Sequence, residues 1–276
     1  MGIGLFWVLY ASTGIVPFNE AAPEAVAAAK RSIELDDSLA EAHYVLAVVR
    51  YVFERDWKEA EASFRKAIEL NPNYPDVRGY YAQFLFNMHR PDEAIVQMER
   101  ALELDPINPM FQYMYGVDLV FMRRYDEAIE VLQKVLKIAP NHAGATDVLA
   151  QVFHQKGMYD NAFEQIKAYY ESIDFKEGIE ALTRGYAKAG YQGAIKSAIE
   201  VWEELAKVTY VLPWNVAQVY AYAGDKEKTL DWLEKGFEVR DVNMGIIGVV
   251  PLFVDLLGDE PRFQELLRKM NLPDVH

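Results

Sequence analysis

The side chains able to do chemistry are few and scattered. His43, His89, His142, His154 and His276 are the histidines. None stands in an HExxH pair, and none shares a helix face with another at a spacing of four, so no metal site is expected. His43 and His154 read as satisfied surface or groove histidines. Cysteine is absent, which removes disulfides, thiolate zinc sites and thiol nucleophiles. Acidic pairs such as Glu59 with Glu61 and Glu203 with Glu204 could flank a sugar as a glycosidase's carboxylates do, but they fall on helix faces expected to point outward. Asp118 lies inside the apolar run Tyr113 to Met122. A carboxylate buried there needs a partner, and Arg50, Arg123 or a tyrosine hydroxyl are the candidates; a structural pair is favoured over a functional acid. No Ser-His-Asp spacing, Gly-rich nucleotide loop, kinase motif or basic recognition helix is present. The chain is therefore expected not to be an enzyme and to need no cofactor.

Charge narrows the partners. Lys and Arg total 28 against 42 Asp and Glu, a formal net charge of -14. Such a surface repels phosphate backbones and anionic headgroups, so neither nucleic acid nor a membrane is an expected partner. A reducing compartment is permitted, and a cytoplasmic location is the expectation. The apolar opening, Met1 to Phe18, carries no Lys or Arg. It lacks the basic start of a signal peptide and the charged flanks of a membrane span, which leaves membrane contact there as the weaker alternative. Ile3 to Gly14 reads instead as the first helix of a repeat whose beginning has been cut away.

The elements that must position any site repeat with a fixed stride. Ala60, Ala94, Ala128 and Ala162 are each 34 residues apart. Around them the same spacing returns: Ala60, Phe64, Ala67, Pro72; Ala94, Met98, Ala101, Pro106; Ala128, Leu132, Val135, Pro140; and Ala162, Ile166, Tyr169, with Asp174 where the proline would fall. Small residues on one helix face let two backbones approach, the larger residue between them fills the neighbour's groove, and the proline stops the helix. A preceding helix carries Leu46-Ala47, Tyr81-Ala82, Tyr115-Gly116 and Leu149-Ala150 at matching positions. Upstream, Ala25 precedes Ala60 by 35 residues, one more than the period.

This pattern resembles the tetratricopeptide repeat (TPR). The resemblance implies an all-α fold, a right-handed α-solenoid of about seven helical hairpins. Over the chain 1–276 it implies a single solenoid: a truncated first repeat (1–37), four regular repeats (40–174), two divergent ones (175–240) and a C-terminal capping helix pair (241–276) that shields the apolar end of the stack. Tyr210-Val211-Leu212-Pro213-Trp214, Tyr220 to Lys226, Trp232 to Lys235, Pro251-Leu252-Phe253 and Pro261 to Leu267 are similar to the C-terminal TPR region of bacterial multidomain regulators. There such a region follows an adenylate cyclase, a Ser/Thr kinase or a winged-helix domain. That similarity implies a sensor or scaffold half of a larger signalling protein.

In that architecture the first helices line the inside of the superhelix. Register then assigns a partner-binding groove to Tyr44, Val48, Tyr51 and Val52; Tyr80, Gln83, Phe86 and Asn87; Tyr113, Met114, Val117 and Phe121; and Asp147, Gln151, His154 and Gln155. Aromatic and Met side chains would anchor a peptide or protein partner, with the amides bonding its backbone. The competing possibility is that these aromatics touch one another or the opposite wall and merely close the superhelix. Chaperone-binding members of the family grip a C-terminal carboxylate with Lys, Arg and Asn; none of these positions is Lys or Arg, so no such clamp is expected. Self-assembly into a homo-oligomer through the apolar N-terminal helix or the end repeats is the alternative role, and a helical-toroid hydrolase built around Asp118 ranks third.

Overall fold

The computed structural model describes residues 18–275, and every regular element among them is helical. The helix expected at Ile3 to Gly14, and with it most of the truncated first repeat, lies outside the described residues, as does His276. The chain divides into two compact units, one ending at Phe111 and the other spanning Gln112–His276. The first holds α1 (Phe18–Leu35), α2 (Ala40–Val49), α3 (Trp57–Leu70), α4 (Pro75–Asn87) and α5 (Pro91–Leu104). The division falls within α6 (Pro109–Phe121). The second unit continues with α7 (Tyr125–Ile138), α8 (Ala143–Gln155), α9 (Tyr159–Ser172), α10 (Lys176–Val208), α11 (Pro213–Tyr222) and α12 (Lys226–Glu238). A 3-10 turn at Val242–Ile246 leads to α13 (Pro251–Leu257) and α14 (Pro261–Lys269).

The small and large residues that set the period are the ones the helices bury. Ala60, Phe64 and Ala67 of α3, Ala94, Met98 and Ala101 of α5, and Ala128, Leu132 and Val135 of α7 have no exposed surface. α2 packs on α3, α4 on α5, α8 on α9 and α11 on α12, so each pair is a hairpin. α3, α5 and α7 end at Leu70, Leu104 and Ile138, two residues before Pro72, Pro106 and Pro140. The residue before a proline is pushed out of the helical region, which is what stops them there.

The turns inside the hairpins share one device. His89, Arg123, Gly157 and Gly224 each adopt a positive φ of 53° to 74°. The next amide then reaches back five residues: Arg90 N to Leu85 O at 2.9 Å, Arg124 N to Leu119 O at 2.8 Å, Met158 N to Phe153 O at 2.8 Å and Asp225 N to Tyr220 O at 3.1 Å. This six-to-one bond satisfies a carbonyl that the helix end would leave unpaired.

Two departures from regularity have local causes. The hairpin α2–α3 carries the extra residue of the 35-residue spacing: Ala47 and Ala60 are 13 apart, where Ala82 and Ala94, Gly116 and Ala128, and Ala150 and Ala162 are 12 apart. The surplus is absorbed by a π-helical turn at Arg50–Glu54, after which Asp56 N reaches back six residues, to Arg50 O at 3.0 Å. The expected divergent hairpin of Gly178 to Ala189 and Ala194 to Val208 is present as two helical arms, together α10, that meet at a kink at Ala189 and Gly190. Gly190 has φ 62° and ψ -152°, a conformation open essentially to glycine alone. The two arms touch backbone to backbone, since a Cβ on Gly193 would fall 2.3 Å from the Gly185 carbonyl oxygen.

The C-terminal elements close the second unit. α13 packs on α11 and α14 on α12, burying Phe253, Leu257, Phe263 and Leu267. Pro251 and Pro261 open these helices, where a missing N–H costs nothing. Asp241 ties the turn to α11: its carboxylate accepts from Trp214 N at 3.1 Å and Asn243 N at 3.0 Å.

Candidate binding site

In the first unit the groove positions of α2 and α4 contact one another. The Tyr44 ring packs edgewise on Tyr74 and Tyr80, with centroids 5.5 and 5.8 Å apart. Asn87 Nδ2 donates to the Tyr51 hydroxyl at 2.7 Å. Tyr44, Val48, Tyr51, Phe86 and Asn87 are buried, while Val52, Tyr80 and Gln83 are half-buried. Burial raises the Tyr44 and Tyr80 hydroxyl pKa values above the usual tyrosine range, so both stay neutral donors.

In the second unit the corresponding positions come from α6 and α8. Met114, Val117 and Gln151 are buried; Tyr113, Phe121, Asp147, His154 and Gln155 are half-buried. The Tyr113 ring lies 4.7 Å from the His142 ring and leaves room only for glycine at 144, where a Cβ would sit 2.8 Å from the tyrosine hydroxyl.

Asp147, Gln151 and His154 occupy successive turns on one side of α8 and meet residues the sequence reading passed over. Asp147 accepts from Gln151 Nε2 at 3.0 Å along its own helix and from Gln218 Nε2 of α11 at 2.6 Å. Gln218 also donates to the Tyr222 hydroxyl at 3.1 Å. Beside this cluster runs a narrow cleft, partly open to solvent, whose volume is about 10 Å³, room for one water-sized group. Asp147, Asn215, Gln218, Tyr222, Tyr169, Tyr170 and Trp202 line it together with Ile166 and Val219. The Trp202 indole N–H donates to the Tyr170 hydroxyl at 2.8 Å, which fixes both rings.

Burial governs the electrostatics. Desolvation lifts the Asp147 carboxyl to a pKa of about 6, against the pull of its two amide donors. Desolvation also drops His154 to about 4, so its imidazole is neutral at physiological pH. His154 Nδ1 lies 2.9 Å from the Tyr191 hydroxyl, and its ring lies 4.9 Å from that of Tyr222.

Gln218 and Tyr222 were legible in principle. Thr229, Leu233 and Gly236 keep the second-helix spacing, which places the first-helix small residue 12 before, at Ala217. Gln218 then stands one residue after the small position, like Val48, Gln83, Val117 and Gln151. Tyr222 stands five after it, like Val52, Asn87, Phe121 and Gln155. Register assigned to four repeats needed only to be carried into the divergent ones. Tyr170 and Trp202 had no such signal, because they belong to helices assigned to the outside; Tyr169 keeps the second-helix spacing after Ala162 and Ile166, which marks it for helix packing and not for a cleft.

The other candidate chemistry disperses. Glu61 is held by Arg65, Arg90 and the Tyr81 hydroxyl. Glu203 accepts from the Tyr220 hydroxyl, and Glu204 pairs with Lys207. Asp118 is fully buried, and Arg123 forks onto Asp255. Among the described residues no group of three or more His, Asp or Glu side chains could hold a metal ion, and no helix is long and apolar enough to cross a membrane.

Comparison with known proteins fits the hairpin geometry. Tetratricopeptide-repeat family models match residues 54–116 and 113–177. A search of curated proteins finds no match. Among solved structures, the chain is similar to PilW, described as a widely conserved type IV pilus biogenesis factor, at 20% identity over 75% of this chain and 93% of that one, with a TM-score of 0.57. It is also similar to pilF of Pseudomonas aeruginosa (16% identity, 97% and 96% covered, TM-score 0.52) and to a human IFIT1 dimer with PPP-AAAA (15% identity, 91% and 68% covered, TM-score 0.57). At such identities the likeness is one of fold. The chain thus carries tetratricopeptide repeats over residues 54–177, within an all-α fold of the solenoid class.

Proposed function

We propose that this chain is a non-catalytic interaction module that holds a peptide or protein partner on the first-helix faces of its repeats, as the sensor or scaffold part of a larger regulator. The observation that supports it most directly is the Asp147 cleft. There, Asp147, Gln218 and Tyr222, at partner-facing register positions, border a partly open space and carry hydrogen-bonding groups. A purely structural wall would be expected to fill with aliphatic side chains, as Ala128, Leu132 and Val135 fill the contact beneath α7. The regulator context rests on the similarity of Tyr210 to Trp214 and the segments after it to the C-terminal region of bacterial multidomain regulators.

The test is selection of binding peptides from a displayed library on the immobilised chain, followed by titration of the best binder. Tyr80→Ala or Tyr113→Ala should weaken that binder several-fold with helicity unchanged. Equal affinity in both variants would move the binding face elsewhere.

A further inference from the structure

We propose that the Asp147 cleft is a pocket for one small cationic group, the ammonium of a lysine side chain carried by a peptide partner. This deepens the partner-binding reading and rests on it. Asp147 brings a carboxylate into a partly open site where its described donors, Gln218 and Gln151, are both neutral amides. A carboxylate has about four acceptor positions, so two bonds leave acceptor capacity on both oxygens. Among the described residues no Lys, Arg or His pairs with it. A charge taken from water without a counter-charge is costly, and an incoming cation would remove that cost.

The walls select the same chemistry. Tyr169, Tyr170, Trp202 and Tyr222 border the cleft, and the faces of such rings carry the negative lobe of a quadrupole that attracts ammonium and guanidinium groups. The rings are preorganised: Trp202 and Tyr170 meet at 76° with centroids 6.1 Å apart, joined by the indole hydrogen bond. An anion entering here would face a carboxylate and aromatic π clouds. An apolar group would leave the half-buried carboxylate uncompensated. The space, about 10 Å³, matches one ammonium and not a guanidinium, and the chain's net charge of -14 favours the approach of a basic segment.

The ionisable groups facing Asp147 from the neighbouring helices are Tyr113 of α6, Tyr169 and Tyr170 of α9 and Tyr222 of α11. Burial pushes all four upward, so they stay neutral and only the carboxylate titrates near neutrality. Cation binding should therefore weaken as pH falls below about 6 and Asp147 takes up its proton.

The test uses n-butylammonium as the side-chain mimic and n-butanol as the neutral control, titrated into the full chain while the Trp202 indole N–H resonance is followed. Saturable shifts with n-butylammonium at millimolar concentration, with n-butanol at least about tenfold weaker, support the pocket. Asp147→Asn should weaken the cation at least about tenfold, and Trp202→Phe, which keeps an aromatic face and is read by calorimetry because it lacks the indole, should weaken it less. No saturable shift with n-butylammonium, equal binding of n-butanol, or an unchanged affinity in Asp147→Asn with the parent's circular dichroism spectrum would overturn it. A display-selected peptide that binds through Tyr80 and Tyr113 but contains no basic residue would overturn the pocket while leaving the interaction module standing. Cation binding without any peptide binder would do the reverse.

Discussion

Gln218 donates through Nε2 to the Asp147 carboxylate at 2.6 Å across 71 residues of sequence. The bond joins α8 to α11, the first helices of two hairpins, with α10 between them in the chain. It places a carboxylate where desolvation outweighs its hydrogen bonds, and most of the expected behaviour of the second unit follows from that imbalance.

Asp147 should make the fold more stable when protonated. Its pKa is about 6 in the fold and about 3.9 in an unfolded chain, so between these values the folded state holds a proton that the unfolded state has released. The contribution is complete below about pH 4 and is lost as pH rises through about 6. Asp147→Asn removes this cost, worth about 3 kcal/mol, and gives up one amide hydrogen bond worth about 1 kcal/mol, a net gain of about 2 kcal/mol at pH 7.5. Thermal melts followed by circular dichroism check it; a lower melting temperature for the variant at that pH would contradict the assignment.

His154 should act with the opposite sign. Its pKa falls from about 6.5 unfolded to about 4 in the fold, so its contribution is present above about pH 6.5 and is lost as pH falls through about 4. The two slopes offset each other in the parent chain. Acidification from pH 7 to 4 should therefore destabilise Asp147→Asn more than the parent, and His154→Gln less than the parent. Parallel melting series at four pH values read this out, and identical slopes for all three chains would rule it out.

Gly190 and the Gly185–Gly193 contact should control whether α10 can fold back at its kink. Gly190→Ala forces a side chain into a glycine-only conformation and should cost on the order of 1–3 kcal/mol. Gly193→Ala meets backbone, the Gly185 carbonyl at 2.3 Å, and should cost at least as much. Denaturant titration measures both, and a change within 0.5 kcal/mol of zero, taken as roughly the neutral range, would argue that the arms separate freely.

Gly116 and Leu132 should be energetically coupled. A Cβ at 116 would lie 2.7 Å from Leu132 Cδ2, so Gly116→Ala overpacks the α6–α7 contact by about 1–3 kcal/mol. Leu132→Ala alone leaves a cavity costing about 2–5 kcal/mol. Together the two should cost clearly less than their sum, because the alanine methyl enters the space the leucine leaves. A double-mutant cycle giving additive values would separate the two positions.

The repeat was legible because its chemistry is local. Small residues at 60, 94, 128 and 162, large ones four later, and prolines at 72, 106 and 140 each act within one hairpin, so spacing alone locates the buried face and the helix stop. The π turn had a trace, the one-residue excess before Ala60, but spacing does not say whether an extra residue loops out or is absorbed in a helix. The site was legible in proportion to its distance from the repeat's consensus. Asp147, Gln151 and His154 followed from register, and Gln218 and Tyr222 would have followed from the same register extended past the kink. Tyr169, Tyr170 and Trp202 join the cleft through the packing of α9 and α10, which no period encodes.

Site-directed photocrosslinking tests the central claim most directly, and the absence of native cysteine makes it clean. A benzophenone maleimide attached at Gln155→Cys, a partner-facing register position of α8, is compared with one at Gln133→Cys on an exposed position of the second helix α7. With a display-selected peptide bound, the label at 155 should crosslink it and the label at 133 should not. Equal crosslinking from both, or crosslinking from 133 alone, would show that the partner sits on the other face of the hairpins.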